Sequence, residues 1–350
     1  MQRGVYRIID ANFNRAREAA RVMEEYCRFA LNCGVLTGRA KQLRHELSAE
    51  IGKLDAGRLI TSRDTAGDVG VGQTVDKQLK RGDLRDCFTA SCKRLSEGLR
   101  ALAEMAQTID ASVANKLEEL RFDAYALEKD IVVFSDVSEK IRRVSLYVII
   151  SSSLPADVLS LAGCCAAGGA DCIQLRAKDI GDDELFALAA EFVKVCRDAG
   201  VLSIINDRVD IAATAGADGV HLGQNDLSIE QARKLQLTPL IMGKSTHSLE
   251  QLCAACDELP TYVSLGPVFS TGTKPDAKAV GLDYVVQGVK VLGGSGIGHV
   301  AIGGIGVDNV EEVLRAGAGA IAVCSAVTEV ADAAGACRAL KERIIAFKGG

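Results

Sequence analysis

The chain has 350 residues, 48% hydrophobic and 25% charged, with five prolines and a net charge of −5, which excludes a disordered, collagenous or low-complexity protein. That length suits two domains and a sizeable core. Basic and acidic residues number 25 and 22 up to Arg143, then 16 and 24 after it, and neither part concentrates a basic stripe, which speaks against a nucleic-acid partner.

The opening "MQRGVYRIIDANFNRAREAA" turns polar at once and offers no apolar core for a signal peptide, and no apolar run approaches the roughly 18 residues that span a bilayer. A cytoplasmic location with no membrane partner is expected. The twelve cysteines then read as reduced, small core residues. Cys253 and Cys256 form a C-x-x-C within "SLEQLCAACDEL", an amphipathic helical pattern, with no second pair at zinc spacing. Like Cys164 and Cys165, they read as packing.

Residues 1–135 are expected to form an all-α helical bundle. "DANFNRAREAARVMEEYCRFAL", "TGRAKQLRHELSAEI", "LRDCFTASCKRLSEGLRALAEMAQ" and "ASVANKLEELRFDAYALEKDI" each repeat apolar residues at helical spacing. This part is internally duplicated: Arg15, Glu18, Arg21 and Glu25 recur as Arg94, Glu97, Arg100 and Glu104, each 79 positions later. Such i, i+3 and i+4 spacings suit ion pairs on exposed helix faces more readily than a site. Between the copies, Arg63, Asp64 and Asp68 in "TSRDTAGDVGVG" read either as an anion-binding segment or as a solvated connecting loop. Residues 136–143 are read as the linker between domains.

From Val144 the grammar changes. Eight short apolar runs, "VSLYVII", "DCIQLR", "VLSII", "DGVHL", "PLIMG", "TYVSLG", "HVAIGG" and "GAIAVCS", each precede a segment of helical period. Residues 144–350 are therefore expected to be α/β in class and to close into a (β/α)8 TIM barrel. An open doubly wound sheet is the alternative, but "VIISSSLPAD" lacks the glycine fingerprint that fold places after its first strand.

In a barrel of this kind the site is built where the strands end. Strand two ends in Gln174, Arg176 and Lys178, strand three in Asn206 and Asp207, and strand four in His221, Gln224 and Asp226. Strand five leads into "GKSTH" with Ser245 and His247, strand six into "GPVFSTGTK" with Thr271, Thr273 and Lys274, strand seven into Gly303 and Gly304, and strand eight into Cys324 and Ser325. Asp207 and Asp226 leave adjacent strands and suit one Mg²⁺, a hard cation that keeps waters and accepts phosphate oxygens. Arg176, Lys178 and Lys274 would repel one another unless an anion lay among them, and a diphosphate is the simplest occupant. The glycines and hydroxyls after strands seven and eight fit a phosphate cradle. Against this stand plainer readings: helix N-caps for the two aspartates and an inner-wall position for His221. A P-loop at "GKS" is excluded by Thr238, which stands where its first glycine is required.

These motifs, "QLRAK", "INDR", "GADGVHLGQND", "GKSTHS", "GPVFSTGTK", "AIGGI" and "CSAV", come in the order found in the thiamine-phosphate synthase family, which residues 144–350 therefore resemble. The front half resembles a helical domain fused ahead of this synthase in some bacteria and associated with pyrimidine phosphorylation. The resemblance implies joining a hydroxymethylpyrimidine diphosphate to a thiazole phosphate, or its carboxylated form, with release of pyrophosphate. It further implies Mg²⁺ on Asp207 and Asp226, and the diphosphate on Arg176, Lys178, Asn206, Ser245 and Lys274. Gln174 would place the pyrimidine. Thr271, Thr273, Gly304, Cys324 and Ser325 would hold the thiazole phosphate, and Arg176, Lys178 and Lys274 would act catalytically by stabilising the departing anion. Two rivals are a thiazole tautomerase, in which His247 would move protons, and a ligand-sensing regulator. The carboxylate pair and basic ring disfavour the first, and the near-neutral front half disfavours the second. Homo-oligomerisation is left open.

Overall fold

Helix α1 (Gln2–Glu25) buries Tyr6, Ile9, Ala16, Ala19, Ala20 and Met23, a stripe repeating every three or four residues, so one face packs while the other stays solvated. A π-helical turn, Tyr26–Ala30, follows it. After α2 (Gly34–Ile51) and α3 (Ala56–Thr61), helix α4 (Leu84–Ala106) starts at Asp83, whose carboxylate accepts the Asp86 N–H at 2.8 Å as an N-cap. Helix α4 lies along α1. Arg15, Glu18, Arg94 and Glu97 are exposed, and the two copies carry equivalent i, i+4 pairs, Arg21 with Glu25 at 2.9 Å and Arg100 with Glu104 at 2.7 Å. The duplicated pattern thus builds helix surface.

The structure, a computed structural model, describes residues 2–73, 80–152, 154–178, 180–235, 238–271 and 278–349. In the segment between the copies, Arg63 grips Asp10 with two bonds of 2.6 and 2.7 Å, Asp64 accepts the Gly67 N–H and Asp68 the Gly70 N–H. These charges are occupied in holding the loop.

Helix α5 (Ala111–Arg142) runs through the stretch read as a linker. It contains neither glycine nor proline, and its buried Leu127, Ile131, Phe134, Val137 and Ile141 keep helical spacing past residue 135, so nothing stops the helix there. Packing divides the chain into two units, Met1–Val133 and Phe134–Gly350.

In the second unit β1 (Leu146–Ile150), β2 (Cys172–Leu175), β3 (Leu202–Asn206), β4 (Gly219–Leu222), β5 (Ile241–Thr246), β6 (Tyr262–Leu265), β7 (Gly298–Ile302) and β8 (Ile321–Val323) pair in sequence order. All pairs are parallel, and β8 returns to β1, which closes the barrel and excludes the open sheet. Helices α6 (Pro155–Ala167), α7 (Asp182–Asp198), α8 (Val209–Ala215), α9 (Ile229–Arg233), α10 (Leu249–Asp257), α11 (Gly281–Leu292), α12 (Val310–Arg315), α13 (Ser325–Thr328) and α14 (Ala333–Gly349) belong to the same unit.

Alternation along each strand separates two cores. Outward residues such as Val148, Ile173, Ile205, Val220 and Val263 meet the helices. Inward residues, among them Tyr147, Cys172, Ile204, Ile241, Tyr262 and Val300, fill the interior, together with Val137, Ile141 and Val144. The strand starts are tied by acids. Asp171 accepts from the Ser145 and Leu146 N–H groups at 2.8 and 2.9 Å and from Lys341 Nζ at 2.5 Å. Asp218 likewise binds Ser203 N–H and Oγ, both at 3.1 Å.

Candidate active site

Strand β5 continues through Thr246, so "GKS" lies within the sheet, and Lys244 is buried with its Nζ 3.4 Å from the Leu227 carbonyl. Its neighbours Gly243 and Ser245 take the inward phase. At the C-terminal ends of the strands lies a cavity of about 960 Å³ whose walls include Gln174, Arg176, Lys178, Asn206, Asp207, Asp226, Ser245, Thr271, Gly304, Cys324 and Ser325. All the expected site residues that the structure describes therefore meet in one place. Thr273 and Lys274 lie outside the described residues.

Asp207 leaves β3 with φ 63°, a left-handed conformation that aspartate tolerates better than most side chains, and its N–H donates to the His221 carbonyl at 2.8 Å. Asp226 reaches back to accept the Gly223 N–H at 2.6 Å. Neither residue is a helix cap. Helix α9 is capped by Ser228 in a reciprocal box with Gln231, and Arg208 precedes α8.

The Asp207 carboxyl is pushed up to about 6, first by burial, then by a hydrogen bond and charge repulsion from Asp226, with Lys178 and Arg176 opposing the rise. Two carboxylates in contact, one of them reluctant to ionise, make a site that a cation relieves. Among the described residues no three His, Cys, Asp or Glu side chains gather as a metal set. A pair of hard oxygen ligands open to a large cavity fits Mg²⁺, which takes its other ligands from water and phosphate.

Arg176 Nη1 donates to Ser151 Oγ at 2.8 Å, which carries the guanidinium from β2 back toward the end of β1. On the far wall Gly303 and Gly304 have φ 107° and 62°, and a side chain on Gly304 would meet the Ser270 carbonyl at 2.6 Å. Asn309 laces this turn, accepting the Gly306 N–H and donating to the Gly304 carbonyl, both at 2.9 Å. Helix α13 is only four residues long, so backbone amides of the turns, more than a helix dipole, are what this wall offers an anion.

Beneath the cavity runs a network that the strand-end inventory missed. Asn206 Oδ1 accepts from Gln174 Nε2 at 2.7 Å, and Gln174 Oε1 accepts from the Tyr147 hydroxyl at 3.0 Å. Tyr147 and Tyr262 hydroxyls lie 2.9 Å apart, Tyr262 meets His221 Nδ1 at 2.9 Å, and His221 Nε2 meets Ser245 Oγ at 2.9 Å. His221 is the satisfied inner-wall residue its position suggests. His247 also lines the cavity, with Nδ1 2.5 Å from the Gly266 carbonyl.

Comparison with known proteins now fits this geometry. The family model described as thiamine monophosphate synthase matches residues 146–327, more than half of the chain. The chain belongs to the thiamine monophosphate synthase family. The model of the ThiD2 family matches residues 7–130. Thiamine-phosphate synthase of Rhodopirellula baltica is 38% identical over 333 residues, covering 93% of this chain and 88% of that protein. The Synechocystis protein of the same name is 37% identical over 328 residues, covering 94% and 93%. A solved thiamine phosphate pyrophosphorylase from Pyrococcus furiosus is 33% identical with a TM-score of 0.54, covering 59% of this chain and 98% of its own. In this synthase family member, among the described residues, no helix is long and apolar enough to cross a membrane.

Proposed function

We propose that the barrel catalyses the transferase reaction of thiamine biosynthesis named by its relatives. A hydroxymethylpyrimidine diphosphate and a thiazole phosphate condense to thiamine phosphate with release of pyrophosphate, and the carboxylated thiazole phosphate would lose CO₂ as well. The observation that carries this reading is the convergence of Asp207, Asp226, Arg176, Lys178 and Ser245 in one cavity with the Gly303–Gly304 turn facing them. About 960 Å³ lies at the upper end of small-molecule sites and suits two phosphorylated substrates together.

Asp207 and Asp226 would hold Mg²⁺, which when bound neutralises charge on the diphosphate. Arg176, Lys178, Asn206, Ser245 and, from its place in the sequence, Lys274 bind the same anion. The bond from the methylene carbon to the diphosphate oxygen breaks, and its electron pair leaves with pyrophosphate. The aminopyrimidine ring shares the positive charge left on the methylene carbon. Arg176, Lys178 and Lys274 stabilise the departing anion, which is where catalysis by preorganised charge acts. The thiazole nitrogen then donates its lone pair to that carbon. Gln174 orients the pyrimidine, while Thr271, Thr273, Gly304, Cys324 and Ser325 keep the thiazole phosphate in line. No side-chain nucleophile is required.

The test is pyrophosphate release by the full chain given both substrates, with and without Mg²⁺, beside Asp207→Ala. Release should need both substrates, the metal and Asp207. Turnover of thiazole phosphate alone without metal would establish the tautomerase, and tight binding of both substrates with no product would establish the sensor.

The ThiD2 match supports a role for residues 7–130 in pyrimidine phosphorylation in the same pathway. Full-length Asp207→Ala supplied with a nucleoside triphosphate and the pyrimidine monophosphate should then accumulate pyrimidine diphosphate. Unchanged monophosphate would reject this role. We further propose small-molecule partners only, and a cytoplasmic location for the enzyme.

A further inference from the structure

The chain of side chains under the cavity has a direction. Tyr147 donates its proton to Gln174 Oε1, so at the contact with Tyr262 it must accept, and Tyr262 must donate. Tyr262 has then no proton left for His221, so His221 Nδ1 carries the hydrogen of that link and Nε2 accepts from the Ser245 hydroxyl. Burial pushes both phenols well above their ordinary range, which keeps one proton on each. Five links, each with one proton, allow two consistent directions: the one just traced and its complete reverse.

We propose that Tyr147, Tyr262 and His221 are positioning residues of one polarised chain across the barrel, through which Ser245 at one end and the Gln174–Asn206 amides at the other exchange donor and acceptor roles together. In the traced direction Ser245 spends its proton on His221 and offers an incoming anion only lone pairs. In the reverse direction His221 Nε2 donates to Ser245, and the hydroxyl is free to donate into the cavity. Tyr262 then donates to His221, Tyr147 to Tyr262, and Gln174 Nε2 to Tyr147. Asn206 Nδ2 donates one hydrogen to Gln174 Oε1 and keeps the other. No proton is gained or lost. Hydroxyls and amides turn, and the imidazole proton moves from Nδ1 to Nε2 by exchange with water.

The consequence is a device that recognises charge, and it rests on the reading that a diphosphate stands at Ser245. An anion there needs a donating hydroxyl, so its binding selects the reverse direction for the whole chain at once.

The test is ¹⁵N NMR of the histidine-labelled full chain. It has four histidines, and loss of one signal in His221→Gln assigns His221. The free protein should show His221 protonated at Nδ1, and Mg²⁺ with inorganic pyrophosphate should move the proton to Nε2. Tyr147→Phe cuts the chain two links away and frees Tyr262 to donate to His221, so it should move the proton to Nε2 without any ligand. Tyr262→Phe removes His221's partner directly and repeats the test should Tyr147→Phe fold poorly. A His221 that keeps the same nitrogen protonated in every sample overturns the proposal. Calorimetry separates the two readings: pyrophosphate that does not bind at all sinks the functional assignment and the switching with it. The ligand-free Tyr147→Phe result still decides the chain.

Discussion

Asp207 and Asp226 leave neighbouring strands β3 and β4 and share a hydrogen bond, and burial, together with this contact, pushes the Asp207 carboxyl up to about 6. Mg²⁺ held by the two carboxylates, as proposed, would compete with that proton. Apparent Mg²⁺ affinity should be flat above pH 7 and fall about tenfold for each pH unit below 6. Because the folded value lies above the ordinary carboxylate value, this group stabilises the metal-free protein below about pH 4, and the contribution is lost as pH rises through 6. Calorimetric Mg²⁺ titrations at pH 5, 6 and 8 check the first statement. Affinity that does not change with pH would separate Asp207 from the metal.

Asp226→Asn should act in opposite directions on stability and function. Replacing one carboxylate by an amide removes the repulsion and gives Asp207 a donor, so metal-free protein at pH 8 should gain about 1 kcal/mol. Mg²⁺ affinity should drop at least about tenfold, because the pair is reduced to one charged ligand. Thermal unfolding with and without Mg²⁺ reads both effects. A variant destabilised without metal would mean that the carboxylates are not in conflict.

The strand ends were legible in the sequence because each parallel strand is a continuous apolar run that stops abruptly at polar residues. "SIIND" announces both β3 and the Asn206–Asp207 site, and "GVHL" does the same for β4. The buried network was not legible, since Tyr147 in "SLYVII" and Tyr262 in "TYVSLG" look like ordinary strand aromatics. Only closure of the sheet brings the Tyr147 hydroxyl on β1 and the Tyr262 hydroxyl on β6 to 2.9 Å across the barrel. A signal existed in the phase: Tyr147 and Ile149 alternate inward, as do Tyr262 and Ser264, opposite a glycine at 243. The continuity of α5 through residues 136–143 was hidden for the converse reason. "FSDVSEKIRR" is polar enough to read as a connection, yet Phe134, Val137 and Ile141 preserve the helical stripe that keeps α5 continuous.

Gly243 makes room for the network. A methyl group there would stand 2.3 Å from Tyr262 Cζ and 2.5 Å from His221 Nδ1, too close for either ring to remain. Gly243→Ala should cost about 1–3 kcal/mol by overpacking and separate His221 from Tyr262. Melting temperature and the His221 ¹⁵N signals check this together. A variant as stable as the parent, with His221 unchanged, would show that the floor is loosely packed.

At the opposite end of the barrel, Asp171 tests whether stability and activity are separable. Burial works against its charge, but hydrogen bonds from Lys341, Leu146 and Ser145 hold the carboxyl below the usual range. That sign means its contribution is present above the ordinary carboxylate value and is lost as pH falls below it. Asp171→Ala leaves Lys341, two backbone N–H groups and a serine hydroxyl without their acceptor, which should cost about 2–4 kcal/mol. The clamp sits where strands begin, and the cavity lies where they end, so kcat/KM at a temperature where the variant is folded should stay within about twofold of the parent. Denaturant unfolding at pH 7 and pH 3 should show the gap between parent and variant shrinking at the lower pH. A gap that widened there would mean that Asp171 is not the ionised partner of Lys341.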